Sequence, residues 1–132
     1  LNSRSSPLSW WTKAWEAKVL EVAKTHFPNE VCGLFYRFGC EGVRLHCFGG
    51  EASMQLCTAD PQAVVDFAYL LAEHNGRVEA SFHSHPCGQL EFSKRDDEFL
   101  SQWADLHLLL VHRDEAWLVR WGQSKRDDVS FR

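Results

Sequence analysis

Residues 77–112 read RVEASFHSHPCGQLEFSKRDDEFLSQWADLHLLLVH, and the change of pattern along them sets the fold class. "RVEASFHSH" has the composition and bounds of a strand. Pro86 ends it, because proline has no N–H to give a neighbouring strand. "CGQLEF" is a loop, and "SKRDDEFLSQWA" is a helix with Phe99, Leu100 and Trp103 turned inward. "LHLLLVH" is apolar on both faces, which belongs in the middle of a sheet. Strand, loop, helix and buried strand in succession make an α/β domain.

Working outward, "EAWLVRWG" alternates, with Trp117, Val119 and Trp121 on one face as in an outer strand, and "HRDE" before it is a turn. Upstream, "DPQAVVDFAYLLAEHNG" is the best-marked helix. Asp60 caps it, Pro61 is its first residue, Val64, Phe67, Ala68 and Leu71 form the buried stripe, and Asn75-Gly76 stops it. "VCGLFYRFG" and "VRLHCFGG" read as a hairpin, and "EASMQLCTA" as a loop or short strand. Trp11, Trp15, Val19 and Val22 recur at helical steps behind Ser9, the expected N-cap of a first helix that ends near Pro28. Residues 1–8 are a polar lead-in, 9–122 one domain, and 123–132 a charged, weakly structured tail. The expected architecture is a single-domain mixed β-sheet flanked by helices.

The chain of 132 residues is large enough for one core without staples. A net charge of -4 gives no electrostatic reason to expect nucleic acid as the main partner. No apolar run approaches the roughly 18 residues of a membrane span, and "LNSRSSPLSW" has no apolar core of a secretory signal. Five cysteines, an odd count with no CxxC pair, favour reduced thiols and a cytoplasmic setting.

The same stretch carries chemistry. Residues i and i+2 of a strand share a face, so His83 and His85 present both imidazoles to one side and Ser84 turns away. Asp96 stands in the first turn of the following helix, where a carboxylate can be aimed back at the strand end. Two imidazoles and one carboxylate are a three-ligand set for catalytic Zn²⁺, with water in the fourth position. The hydroxyl of Ser93 is placed to donate to a tetrahedral oxyanion. Each element has a plainer reading: S-x-x-D is also a helix-capping pattern, and H-x-H occurs on many strands that bind no metal.

His83-Ser84-His85-Pro86, six residues, Ser93, two residues and Asp96 form H-x-H-P-x(6)-S-x-x-D without a gap. This resembles the JAMM or MPN+ metalloproteases, which also carry a glutamate just before a strand, commonly followed by C-G. "PNEVCGLF" supplies Glu30, Cys32 and Gly33 in that setting. The resemblance spans Trp11 to about Gly122 and is strongest to compact prokaryotic JAB-like members. It implies an MPN/JAB fold related to the cytidine deaminases. It further implies His83, His85 and Asp96 as ligands of one zinc ion per chain, Glu30 as general acid/base and Ser93 as the oxyanion donor. The activity implied is hydrolysis of a peptide or isopeptide bond, with the C-terminal tail of a ubiquitin-like or sulfur-carrier protein as the expected substrate. Phage-tail or cell-wall peptidases, and a non-catalytic scaffold with structural zinc, are the alternatives. The deaminase signature itself is absent, since His85 stands where H-x-E needs glutamate and Cys87 has no CxxC partner.

Several polar residues have a simpler expected role. Asp97 points about 100° away from Asp96 around the helix and reads as a solvated residue. Cys87 is not expected to be a ligand. His107 and His112 read as packing or edge residues, and His26, His46 and His74 as surface or turn residues. Trp10, Trp11 and Trp15 read as core.

Overall fold

A computed structural model describes residues 8–48, 50–52, 57–90, 101–125 and 128–131. Its elements in chain order are α1 (Lys13–His26), β1 (Cys32–Phe38), β2 (Arg44–Cys47), β3 (Gly50–Ala52), β4 (Cys57–Ala59), α2 (Pro61–Glu73), β5 (Gly76–His85), β6 (Leu106–Arg113), β7 (Ala116–Lys125) and β8 (Asp128–Phe131). Six strands form one mixed sheet in the order β2-β1-β5-β6-β7-β8. Its one parallel pair is β5 with β6, and all its other neighbours are antiparallel. β3 and β4 pair separately, so the described ends of "EASMQLCTA" are strands.

The sheet divides two cores. On one face α1 sets Val19 and Ala23 against Phe35, Phe82, Leu108, Leu110 and Trp121. Trp10, Trp11 and Trp15 surround Phe35 on this side, with ring centroids 5.2–5.8 Å from it. On the other face α2 sets Phe67 and Leu71 against Cys32, Leu34, Tyr36 and Phe48, with Trp103 packed alongside. As its sequence predicts, β6 is interior, and Leu108, Leu109, Leu110 and Val111 are all fully buried. Complete burial of each such side chain is worth roughly 1.5–3 kcal/mol, and Leu108 and Leu110 contribute it to the core beneath α1.

The local signals hold for α2, whose Asp60 carboxylate accepts from the Ala63 amide at 3.3 Å. Its stripe is narrower than expected: Phe67 and Leu71 are buried and Ala68 is exposed. α1 begins later than Ser9. Thr12 is the cap, with its hydroxyl accepting from the Trp15 amide at 3.2 Å. This frees Trp10 and Trp11 to fold back over Phe35 and Trp121. β7 is not an outer strand, because β8 pairs beyond it through Ser124↔Val129 and Lys125↔Asp128. That pairing gives residues of the charged tail regular structure, which their composition concealed. The "HRDE" turn is a two-residue hairpin with Asp114 and Glu115 both at positive φ (53° and 63°), the geometry that matches strand twist. The helix expected over residues 93–104 lies mostly outside the described residues. No helix among the described residues is long and apolar enough to cross a membrane.

Gly33 is required by space. A Cβ there would stand 2.0 Å from the His46 carbonyl oxygen and 2.6 Å from the Phe82 ring. Neither neighbour can yield, because one is backbone and the other is at the centre of the core. Gly33→Ala is therefore expected to lose on the order of 3 kcal/mol or to fail to fold. Gly42→Ala, where a Cβ meets nothing within 4 Å, should be close to neutral. Urea unfolding midpoints check the pair, and similar midpoints for both variants would contradict the packing argument.

Candidate metal centre

The histidines owe their side of the sheet to an extra residue in β5. Along the β1–β5 ladder Cys32 faces His83, Leu34 faces Ser81 and Tyr36 faces Val78, while Phe35 faces Ala80. Glu79 is left over as a bulge. Val78 and His83 are five residues apart and would lie on opposite faces of a regular strand. The inserted residue lets both lie on the α2 face, Val78 in the core and His83 beside it. Glu79 is held in the bulge by three donors. Trp10 Nε1 donates to its Oε1 at 3.2 Å, and Arg37 Nε and Arg77 Nε donate to Oε2 at 3.0 and 2.9 Å.

At the end of this ladder the side chains converge. Glu30 and His83 are 3% and 1% exposed, and His83 Nε2 donates to Glu30 Oε1 at 2.6 Å across 53 residues of sequence. The rings of His83 and His85 lie 5.2 Å apart and nearly perpendicular. His85 Nδ1–H donates to the Gln89 carbonyl at 2.8 Å, which leaves Nε2 as the nitrogen with a lone pair. One ligand atom from each of Glu30, His83 and His85 lies within 4.8 Å of the others. A buried carboxylate beside two imidazoles, one already oriented by a carbonyl, is a donor set that fits a divalent metal ion. The turn after His85 is closed by the Gly88 amide on the His85 carbonyl at 3.3 Å, with Gly88 at φ 90°.

The structure thus brings together Glu30, His83 and His85. Ser93, Asp96 and Asp97 lie outside the described residues. Cys87 is exposed, and the metal-capable cluster found among the described residues does not include it.

Two histidines depart from their sequence reading or exceed it. His46, expected at the surface, is half-buried and stacked on Phe67 at 4.1 Å and 10°, and burial lowers its pKa. His107 packs as expected, but it is fully buried and shares a 2.6 Å hydrogen bond between its Nδ1 and Ser81 Oγ. Sequence reasoning passed over Ser81, and of Ser84 it gave only the direction, away from the two histidines. The available sign for Ser81 was a polar position between Ala80 and Phe82 in a strand, where a buried hydroxyl needs a partner.

Residues 12–122 match the family model of prokaryotic homologs of the JAB domain. The chain belongs to this family. Among solved structures it is similar to protein DSY2949 from Desulfitobacterium hafniense, with a TM-score of 0.66 and 22% identity, over 92% of this chain and 87% of that one. That likeness extends to the fold. No protein with a curated function matches the chain. In this prokaryotic JAB domain the buried Glu30–His83–His85 cluster is a possible metal site.

Burial lowers the pKa of His107 from 6.5 to about 4, with nearby Asp105 acting in the opposite direction. The folded protein therefore binds fewer protons than the unfolded chain between these values. The stabilising contribution is fully present above pH 6.5 and is lost as the pH falls toward 4. The shift corresponds to something on the order of 3 kcal/mol. His107→Gln should accordingly flatten the acid side of a plot of urea midpoint against pH. Parallel curves for variant and wild type would show that His107 is not the source of the acid sensitivity.

Proposed function

We propose that this prokaryotic JAB domain is a zinc-dependent peptidase or isopeptidase. The observation that carries the reading is the buried contact of Glu30 with His83 Nε2 at 2.6 Å, beside His85. A carboxylate withdrawn from water and held against a metal-ligand pair serves poorly as a purely structural element, since burying it is costly. It is well placed as a proton acceptor. His83 and His85 would hold the ion, with Asp96 as the third ligand that the motif spacing assigns. When bound, zinc would polarise the scissile carbonyl and make water nucleophilic at neutral pH. Glu30 would take the proton of the attacking water and pass it to the leaving nitrogen, the two transfers that amide hydrolysis demands. Ser93, close in sequence to Asp96, would donate to the oxyanion.

An extended peptide suits the site better than a compact ligand. β2 is the terminal strand of the sheet beside β1, the strand that Glu30 precedes. Main-chain groups along such an edge can pair with an incoming strand. The C-terminal tail of a ubiquitin-like or sulfur-carrier protein, narrow and extended, is the substrate class we favour.

The test uses a small β-grasp protein extended through its C-terminal tail, incubated with protein loaded to one zinc per chain. Glu30→Gln should keep the zinc and lose about 10²-fold or more in rate, the usual scale of a missing proton-transfer group. His83→Ala and His85→Ala should lose the metal and the cleavage together. Cleavage by Glu30→Gln at the wild-type rate would remove Glu30 from its role. A fully zinc-loaded wild type that cleaves no tail-linked substrate would overturn the peptidase reading.

A further inference from the structure

We propose that Ser84, the residue between the two histidines, is the positioning residue for Glu30, and that its hydroxyl is the group responsible. The inference deepens the role given to Glu30 above, although the contact it explains is present in the fold itself. Regular pairing of β1 with β5 ends at Cys32↔His83. One step further, the Ser84 amide still donates to the Val31 carbonyl at 2.8 Å. In a continuing antiparallel ladder the Val31 amide would answer to the main-chain carbonyl of the residue opposite. Here it donates to Ser84 Oγ instead, also at 2.8 Å.

This exchange of a carbonyl for a hydroxyl lets the chain leave the sheet while Val31 remains buried with both main-chain groups satisfied. Glu30 is the next residue outward. In the segment before it Phe27, Pro28 and Asn29 are exposed, the Phe27 ring rests on His112 and Trp117, and the Asn29 amide turns back on the His26 carbonyl, so these contacts lie on α1 and on β6 and β7 and not on β5. Apart from the carboxylate's own contact with His83, the two bonds between Val31 and Ser84 are the described link nearest to Glu30 that ties it to β5. Alternation along β5 puts Ser84 on the face opposite His83 and His85, and it is fully buried. It does not act on substrate or metal; it acts through Val31 on Glu30. Without the hydroxyl, the buried Val31 amide must find another acceptor. It can shift to a main-chain carbonyl, adding a rung to the ladder, or open to water. Either change swings Glu30 away from His83.

Threonine and valine have the same shape and differ at this position by the hydroxyl, so Ser84→Thr and Ser84→Val isolate the group, with Ser84→Ala as the smaller companion. The measurement is NMR on the metal-free, ¹⁵N-labelled chain, following amide exchange at Val31 and the Nε2 proton of His83. Wild type and Ser84→Thr should show a protected Val31 amide and a downfield His83 Nε2 proton. Ser84→Val and Ser84→Ala should exchange Val31 about tenfold faster or more and lose the Nε2 signal, with Leu34 and Phe82 amides unchanged. In zinc-loaded protein the hydroxyl-free variants should lose about tenfold or more in kcat, with KM and zinc content retained. Equal behaviour of the threonine and valine variants, in either direction, would overturn the proposal. Because the NMR pattern is read without metal or substrate, an absence of peptidase activity would sink the function above and leave this inference standing.

Discussion

The antiparallel pairing of β1 with β5 is the constraint on which the rest of the molecule depends. It carries Glu30, at the mouth of β1, to His83, near the end of β5. Its register decides which side chains share a face, and a slip of one residue would turn every one of them over. Three features hold that register. Gly33 admits the Phe82 ring and the His46 carbonyl so closely that no side chain fits between them. The Glu79 bulge, gripped by Trp10, Arg37 and Arg77, absorbs the odd residue between Val78 and His83. The paired bonds of Val31 and Ser84 close the ladder at the point where Glu30 leaves it.

The buried polar groups of β5 follow from the same register. Ser81, His83 and His85 alternate along the face that β1 meets with Leu34 and Cys32. Each is satisfied by a different part of the fold: Ser81 by His107 of the parallel neighbour β6, His83 by Glu30, and His85 by the turn that follows it. A strand with this many buried polar side chains is a poor choice for stability alone, since each group forfeits its hydration on burial. The arrangement makes sense as support for a centre that must hold imidazoles and a carboxylate in fixed directions.

Much of the fold was legible in local patterns. The α2 cap at Asp60, the Pro86 strand end, the buried run of β6 and the "HRDE" turn each depend on residues within a few positions of one another, so a linear reading finds them. The start of α1 was misplaced because Ser9 is in isolation at least as good a cap as Thr12, which the fold uses. The choice is made by Trp10 and Trp11, which gain more by packing on Phe35 than by continuing a helix. The β8 pairing was hidden because a charged segment at a sheet edge earns its order from the partner strand, not from its own hydrophobic pattern.

From the sequence alone came the class of fold and the shared face of His83 and His85, because both follow from periodicity over short distances, and a motif spacing whose resemblance to the JAMM signature points to metal chemistry. The tertiary structure decided which face that is, since the answer depends on the Glu79 bulge and on a ladder to residues some fifty positions away. Among the described acidic residues it is Glu30 that the fold buries against His83. A carboxylate's sequence neighbours do not determine whether it is buried against an imidazole; the strand pairing that removes both from water does.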